Sequence, residues 1–212
     1  MTKIDSLVVG SFNRKKEIEL SKLLAPLGLK VASLAAFPGV VEVDETGDTF
    51  TANARLKAIG YAKQVGQWVL ADDSGLAVDA LKGEPGVNSA HYAGFKASDE
   101  ANNRRLLEAL KGVPTDRRSA HYVCHITLAD PQGTIIAEAE DVCRGRILEA
   151  EHGSEGFGYD PLFEIIEYHM TFGQLAPAVK ACLSHRARAM RKIMFELERL
   201  VAGSGSAVAS PY

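Results

Sequence analysis

The chain has 212 residues, of which 46% are hydrophobic and 24% charged, the makeup of an ordinary globular protein rather than a disordered or collagen-like one. Its 24 Lys and Arg against 27 Asp and Glu leave a formal charge of -3. No global basic field is therefore available to hold a nucleic-acid strand, and any grip on phosphate has to be local. Cys124, Cys143 and Cys182 are odd in number and lack C-x-x-C spacing, which favours reduced thiols in the cytoplasm over disulfides or a zinc site.

Near the N-terminus the only apolar run is Leu7 to Val9, far too short for a signal-peptide core or a membrane span, so no membrane partner is expected. Ser6 to Val9 reads as a strand, Gly10-Ser11 as a turn, and Ile18, Leu20, Leu23 and Leu24 as the apolar face of a following helix. A second apolar run, Leu29 to Leu34, leads through Pro38 into the acidic segment Val41 to Asp48. Phe50, Ala54, Ala58, Tyr61, Ala62 and Val65 then mark a helix that Asp48 or Thr49 would cap. Trp68 to Ala71 reads as a buried strand that ends in a polar turn, Asp72-Asp73-Ser74-Gly75.

Lys82 to Gly94, rich in glycine and proline, reads as a long loop before a helix at Asp99 to Leu110 with Leu106, Leu107 and Leu110 buried. Two β-rich runs, Ala120 to Ala129 and Thr134 to Val142, flank Asp130-Pro131-Gln132-Gly133, a hairpin signal that makes the sheet mixed. Ser184 caps a final helix, His185 to Val201, and residues 202–212 read as a flexible tail. The fold class expected is α/β, a single elongated domain over residues 1–201 with a mixed sheet flanked by helices and two lobes around a central cleft.

Chemistry concentrates in five places. Two adjacent carboxylates, Asp72 and Asp73, at the mouth of a buried strand suit a hard cation such as Mg²⁺, with Glu45 as a further oxygen donor; a merely solvated turn is the other reading. Ser11-Phe12-Asn13-Arg14-Lys15-Lys16 begins a helix after a strand, where free amides and the helix dipole favour an anion. Lys57, one turn from Asn53, is either a phosphate ligand or a surface lysine lying over alanines. Gly153, Gly156 and Gly158 let the backbone come close to a ligand while Phe157 and Tyr159 offer faces for a planar base. Lys180, His185 and Arg186 approach a helix N-terminus whose dipole opposes them, a conflict tolerated where an anion or a carbonyl-rich ligand binds.

In this order and spacing, Ser11-Phe12-Asn13 with Lys16, Glu45 to Phe50 with Asn53 and Lys57, Ala71 to Leu76, Gly156 to Pro161, and Lys180 with Ser184-His185-Arg186 resemble the inosine triphosphate pyrophosphatase, or Ham1-like, family. The resemblance implies a homodimer that hydrolyses non-canonical purine nucleoside triphosphates such as ITP, dITP and XTP to monophosphate and pyrophosphate with Mg²⁺. It implies that Asp73 accepts a proton and binds metal beside Glu45 and Asp72, and that Ser11, Phe12, Asn13, Arg14, Lys15, Lys16 and Lys57 grip the triphosphate. Ser74, Phe157, Gly158, Tyr159, Asp160, Lys180, His185 and Arg186 are implied as further substrate contacts, with Phe157 stacking on the base. Phe12 stands where the family has glycine, His91 where it has arginine, and the segment before Lys180 lacks the family's glutamates, changes that bear on backbone geometry, base preference and rate. A nucleotide binder without turnover and a hydrolase of modified pyrimidine nucleotides are the competing expectations.

Overall fold

The computed structural model describes residues 3–203. Its centre is one seven-stranded mixed sheet in the order β2-β1-β3-β4-β5-β6-β7. Strand β1 (Ser6–Val9) lies parallel to both β2 (Lys30–Ser33) and β3 (Val69–Val78). From β3 onward the sheet is antiparallel, through β4 (Ser119–Ala129), β5 (Ile135–Ile147), β6 (Phe163–Ile165) and β7 (Met170–Thr171).

The helices are α1 (Arg14–Leu24), α2 (Phe50–Val65), α3 (Asp99–Ala109), α4 (Pro177–Leu183) and α5 (His185–Ala202). Their starts follow local chemistry: the Thr49 hydroxyl accepts from Ala52 N, Ser98 from Ala101 N, and Ser184 from Ala187 N. The hairpin between β4 and β5 is held by Asp130 Oδ1, which accepts from Gln132 N and Thr134 N. α5 runs to Ala202, one residue into the segment expected to be tail, and Gly203 closes it in the left-handed conformation. The rest of that tail lies outside the described residues.

Strand β3 departs most from the expected pattern. Asp72, Asp73, Ser74 and Gly75 are not a turn; they are the middle of a ten-residue strand paired throughout with β4. The strand joins separate packing regions. Leu70 belongs to a core of Leu7, Leu20, Leu24, Ile126 and Ile193 beneath α1 and α5, and Val69 and Ala71 pack with Ala58 and Tyr61 beneath α2. Leu76 and Val78 belong to a third core with Leu106, Phe163 and Phe172. The polar tetrapeptide spans the join, where its burial is offset by ion pairs rather than by apolar contact.

Other differences are smaller. Ile18, expected on the apolar face of α1, is exposed, and Leu107 is only half-buried. β5 continues five residues past Val142, and β6, β7 and α4 have too short a period to be read from sequence. The long loop contains a 3₁₀ segment, Gly86–His91.

Candidate active site

A cleft of about 900 Å³ opens beside β3. It exists because β1 leaves the sheet early: β1 pairs with β3 only at Val69 and Leu70, and Gly10 N makes the last bond, to Leu70 O. Beyond that point the β1-facing edge of β3 is uncovered, as crevices at the carboxyl ends of parallel strands are. Gly10 is required at the departure, since a Cβ there would lie 2.8 Å from Val69 Cγ1.

Most of the residues singled out in the sequence line this cleft: Ser11, Phe12, Asn13, Lys16, Glu45, Lys57, Asp73, Ser74, Phe157, Gly158, Tyr159, Asp160, Lys180, His185 and Arg186. Arg14, Lys15 and Asp72 do not. Arg14 reaches outward to Glu17 at 2.6 Å, and Lys15 pairs with Asp99 at 3.2 Å, with its ammonium 5.6 Å from the Phe157 ring centre. Asp72 is buried behind the cleft.

Strand alternation explains the division between the two aspartates, because successive side chains leave a strand on opposite faces. Asp73 meets α2, where Lys57 Nζ lies 2.8 Å from its Oδ1 and 3.0 Å from Glu45 Oε2. Asp72 meets α1 and α5: Lys16 Nζ lies 3.5 Å from its Oδ2, and Arg186 donates to the same oxygen from Nε at 3.2 Å and Nη2 at 3.0 Å. The carboxylate trio grouped in the sequence is therefore split, with Glu45 and Asp73 sharing one lysine and Asp72 held apart. Among the described residues no group of three or more His, Cys, Asp or Glu side chains is gathered as a metal site.

The charges are set by these contacts. Burial works against ionisation of Asp72, but Lys16, Arg186 and Lys57 outweigh it and hold its carboxyl well below the usual range. Burial pushes Asp73 upward, with Lys57 opposing, while the more open Glu45 is drawn down by Lys57 against its own desolvation. Lys57 is raised, because Asp73, Glu45 and Asp72 overcome its burial, so it is a committed cation rather than a surface lysine.

In the same cleft, Lys180 Nζ bonds Asp160 Oδ2 at 2.6 Å and Glu19 Oε1 at 3.0 Å, and Arg186 also bonds Glu19 and, at 2.9 Å, Ser74 Oγ. Lys180 Nζ is 4.7 Å and the Arg186 guanidinium carbon 6.0 Å from the centre of the Phe157 ring. His185 stacks on Tyr122 with centroids 4.6 Å apart and stays neutral, because burial, Arg186 and Lys180 push its pKa far down. Its Nδ1 is buried without a hydrogen-bond partner.

The α1 N-terminus offers fewer free amides than the sequence implied. Asn13 Oδ1 takes Lys15 N and Lys16 N, and Ser11 Oγ takes Asn13 N. Phe12 strains nothing: the positive-φ non-glycine residues among those described are Lys82, Lys96 and His169, so the turn accepts a side chain where the family has glycine. Glu19, which pairs with Lys180 and Arg186, is not marked by local pattern, because both partners come from remote elements. Asp99, which binds Lys15 and accepts from Gly158 N at 2.9 Å, and Ser89, which accepts from Leu76 N at 2.9 Å, also line the cleft.

With this geometry in view, a family model described as the Ham1 family matches residues 7–196. The chain belongs to the Ham1 family. It is 50% identical over 201 residues to the dITP/XTP pyrophosphatase of Rhodopirellula baltica, covering 95% of this chain and 97% of that one. It is 50% identical over 194 residues to the protein of the same name from Desulforamulus reducens, covering 92% and 96%. Among solved structures, the Staphylococcus aureus Ham1 protein superposes with a TM-score of 0.80 at 36% identity, covering 91% of this chain and 98% of that one. A HAM1 protein from Coxiella burnetii gives 0.81 at 35%, covering 96% and 100%. The α/β fold and mixed sheet expected from the sequence are those of this Ham1 chain.

Proposed function

We propose that this chain hydrolyses non-canonical purine nucleoside triphosphates, ITP, dITP and XTP, to the monophosphate and pyrophosphate. The observation that carries the reading is that one cleft brings together a lysine-carboxylate cluster, Lys57 with Glu45 and Asp73 beside Lys16, and an aromatic ring, Phe157, flanked by Lys180 and Arg186. A triphosphate suits the first group and a base with a 6-oxo group the second. The names of the similar proteins support the same substrates.

Asp73 is the base in this reading. It takes a proton from water as the water oxygen bonds the α-phosphorus, and the bond from that phosphorus to the bridging oxygen breaks to release pyrophosphate. Lys57 orients Asp73 and, with Lys16, faces the charge that accumulates on the leaving group. Arg186 and Lys180, fixed by Asp72, Asp160 and Glu19, donate toward the base oxygen, where adenine would present a donor of its own.

The donor set fits Mg²⁺. Asp73 Oδ2 is a buried acceptor with no hydrogen-bond partner, and Glu45 lies on the same lysine. These two carboxylates would hold the ion, within the one or two that Mg²⁺ ordinarily takes from protein, and when bound it would neutralise phosphate charge. Asp72, whose Oδ2 pairs with Lys16 and Arg186 and whose Oδ1 is likewise buried without a partner, positions those two cations. No helix among the described residues is long and apolar enough to cross a membrane. A cytoplasmic homodimer, as the family resemblance implies, is part of the proposal.

The experiment is a panel of ITP, dITP, XTP, ATP, GTP and modified pyrimidine triphosphates, assayed for pyrophosphate and orthophosphate with and without Mg²⁺. Pyrophosphate from the 6-oxo non-canonical purines, with much less from ATP or GTP, is expected. Orthophosphate as the direct product, or binding of ITP without turnover, overturns the proposal.

A further inference from the structure

Among the described residues Phe95 is the most exposed of the large apolar side chains, at 82%, yet it lines the cleft. Its neighbours hold it out rather than bury it. The ring touches His91, with centroids 5.7 Å apart, and Lys96 Nζ at 5.3 Å. The backbone beneath is fixed: buried Asn102 accepts from Ala93 N at 2.8 Å and donates to Ala90 O at 3.2 Å, while Gly94 N bonds His91 O and Ala97 N bonds Gly94 O. Lys96 holds a φ of 57°, a conformation that costs a non-glycine residue energy and persists only when its surroundings enforce it.

The loop is also tied to the segment that carries Phe157. Asp99, four residues beyond Phe95, accepts from Gly158 N at 2.9 Å and pairs with Lys15, whose ammonium sits by the Phe157 ring. Phe95 and Phe157 thus line one cavity from two separate segments that are hydrogen-bonded through Asp99, the second half-buried among cations and the first exposed.

We propose that Phe95 is a second stacking face for the nucleotide base, so that a purine lies between Phe95 and Phe157. The inference rests on the reading of the cleft as a nucleotide site and adds to it a residue that selects for ring area. A bicyclic base covers two aromatic faces more fully than a single ring does, so a two-sided slot favours purines over pyrimidines whatever hydrogen bonds the rim makes.

The test uses Phe95→Ala and Phe95→Trp in the full chain. Because Phe95 is so exposed, truncation removes no core contact, and an unchanged melting temperature verifies that. Phe95→Ala is expected to raise KM for ITP by about 5- to 20-fold with kcat within about twofold, the signature of lost uniform binding from one base stack. Phe95→Trp is expected to restore KM, and its fluorescence to be quenched as IMP is added, over a steady background from the buried Trp68. A KM for Phe95→Ala within twofold of the parent overturns the inference, as does a changed oligomeric mass with unchanged KM, which would make Phe95 an interface residue. If the parent releases no pyrophosphate from ITP, the proposed function fails by itself. The Phe95→Trp titration with IMP then decides the stacking face separately, quenching supporting it and its absence overturning it.

Discussion

Lys57 and Asp73 form a buried ion pair at 2.8 Å, and the same ammonium holds Glu45 at 3.0 Å. One cation thus serves two carboxylates, and its removal leaves them facing each other with only the more distant Lys16 to offset their charge. Lys57→Met is expected to cost about 3 kcal/mol of stability, typical of breaking a buried pair from one side, with part recovered as Asp73 takes up a proton. Protonation would also disable Asp73, so turnover should fall more than about 100-fold. Chemical denaturation and pyrophosphate release measure the two effects.

Asp73→Asn preserves volume and removes a base. Turnover should drop by about 10²- to 10⁴-fold while the fold remains. Burial raises the Asp73 pKa from its ordinary value against the pull of Lys57, so the acid limb of kcat/KM in the parent should lie at higher pH than an ordinary aspartate would give. In the variant that acid limb should vanish. A parent-like rate in Asp73→Asn would remove Asp73 from the mechanism.

Acid stability has a different owner. Asp72 is held well below its usual pKa by Lys16 and Arg186 despite burial, and Glu138 is held at about 2, chiefly by hydrogen bonds from Arg55. A lowered folded-state pKa means that the unfolded chain binds more protons, so this stability is present above the unfolded value and is lost as pH falls through the window below it. Melting temperature should therefore decline from about pH 5 downward. Asp72→Asn should melt lower at neutral pH and show a shallower decline in acid.

Gly75 is close-packed rather than flexible. A Cβ there would lie 2.6 Å from Gly86 O and 2.9 Å from Phe50 Cε1, and it would displace the Ser89 hydroxyl that binds Leu76 N. Gly75→Ala should cost about 1 to 3 kcal/mol, the range for overpacking, and raise KM, as read by thermal melting and steady-state kinetics.

The sequence made the strand-helix opening, the hairpin at Asp130 and the capped final helix legible, because each has a local cause in apolar spacing or a capping side chain. Asp72 to Gly75 misled, because four polar or small residues in a row have the composition of a turn. They sit in a strand only because Lys16, Lys57 and Arg186 arrive from three other elements to meet them. The same distance in sequence hid Glu19, whose role exists only once α1 and α5 lie together. Local pattern reports periodicity and caps, and it is silent about compensation between remote charges.

The alternation of Asp72 and Asp73 along β3 also limits how such a protein can change. A shift of the β3 and β4 pairing by one residue would exchange the faces of the two carboxylates, turning Asp73 toward Arg186 and Asp72 toward Lys57. An insertion in that strand would therefore disturb two ion-pair clusters at once, whereas one in a segment such as Ala93 to Ser98 leaves the register of both intact.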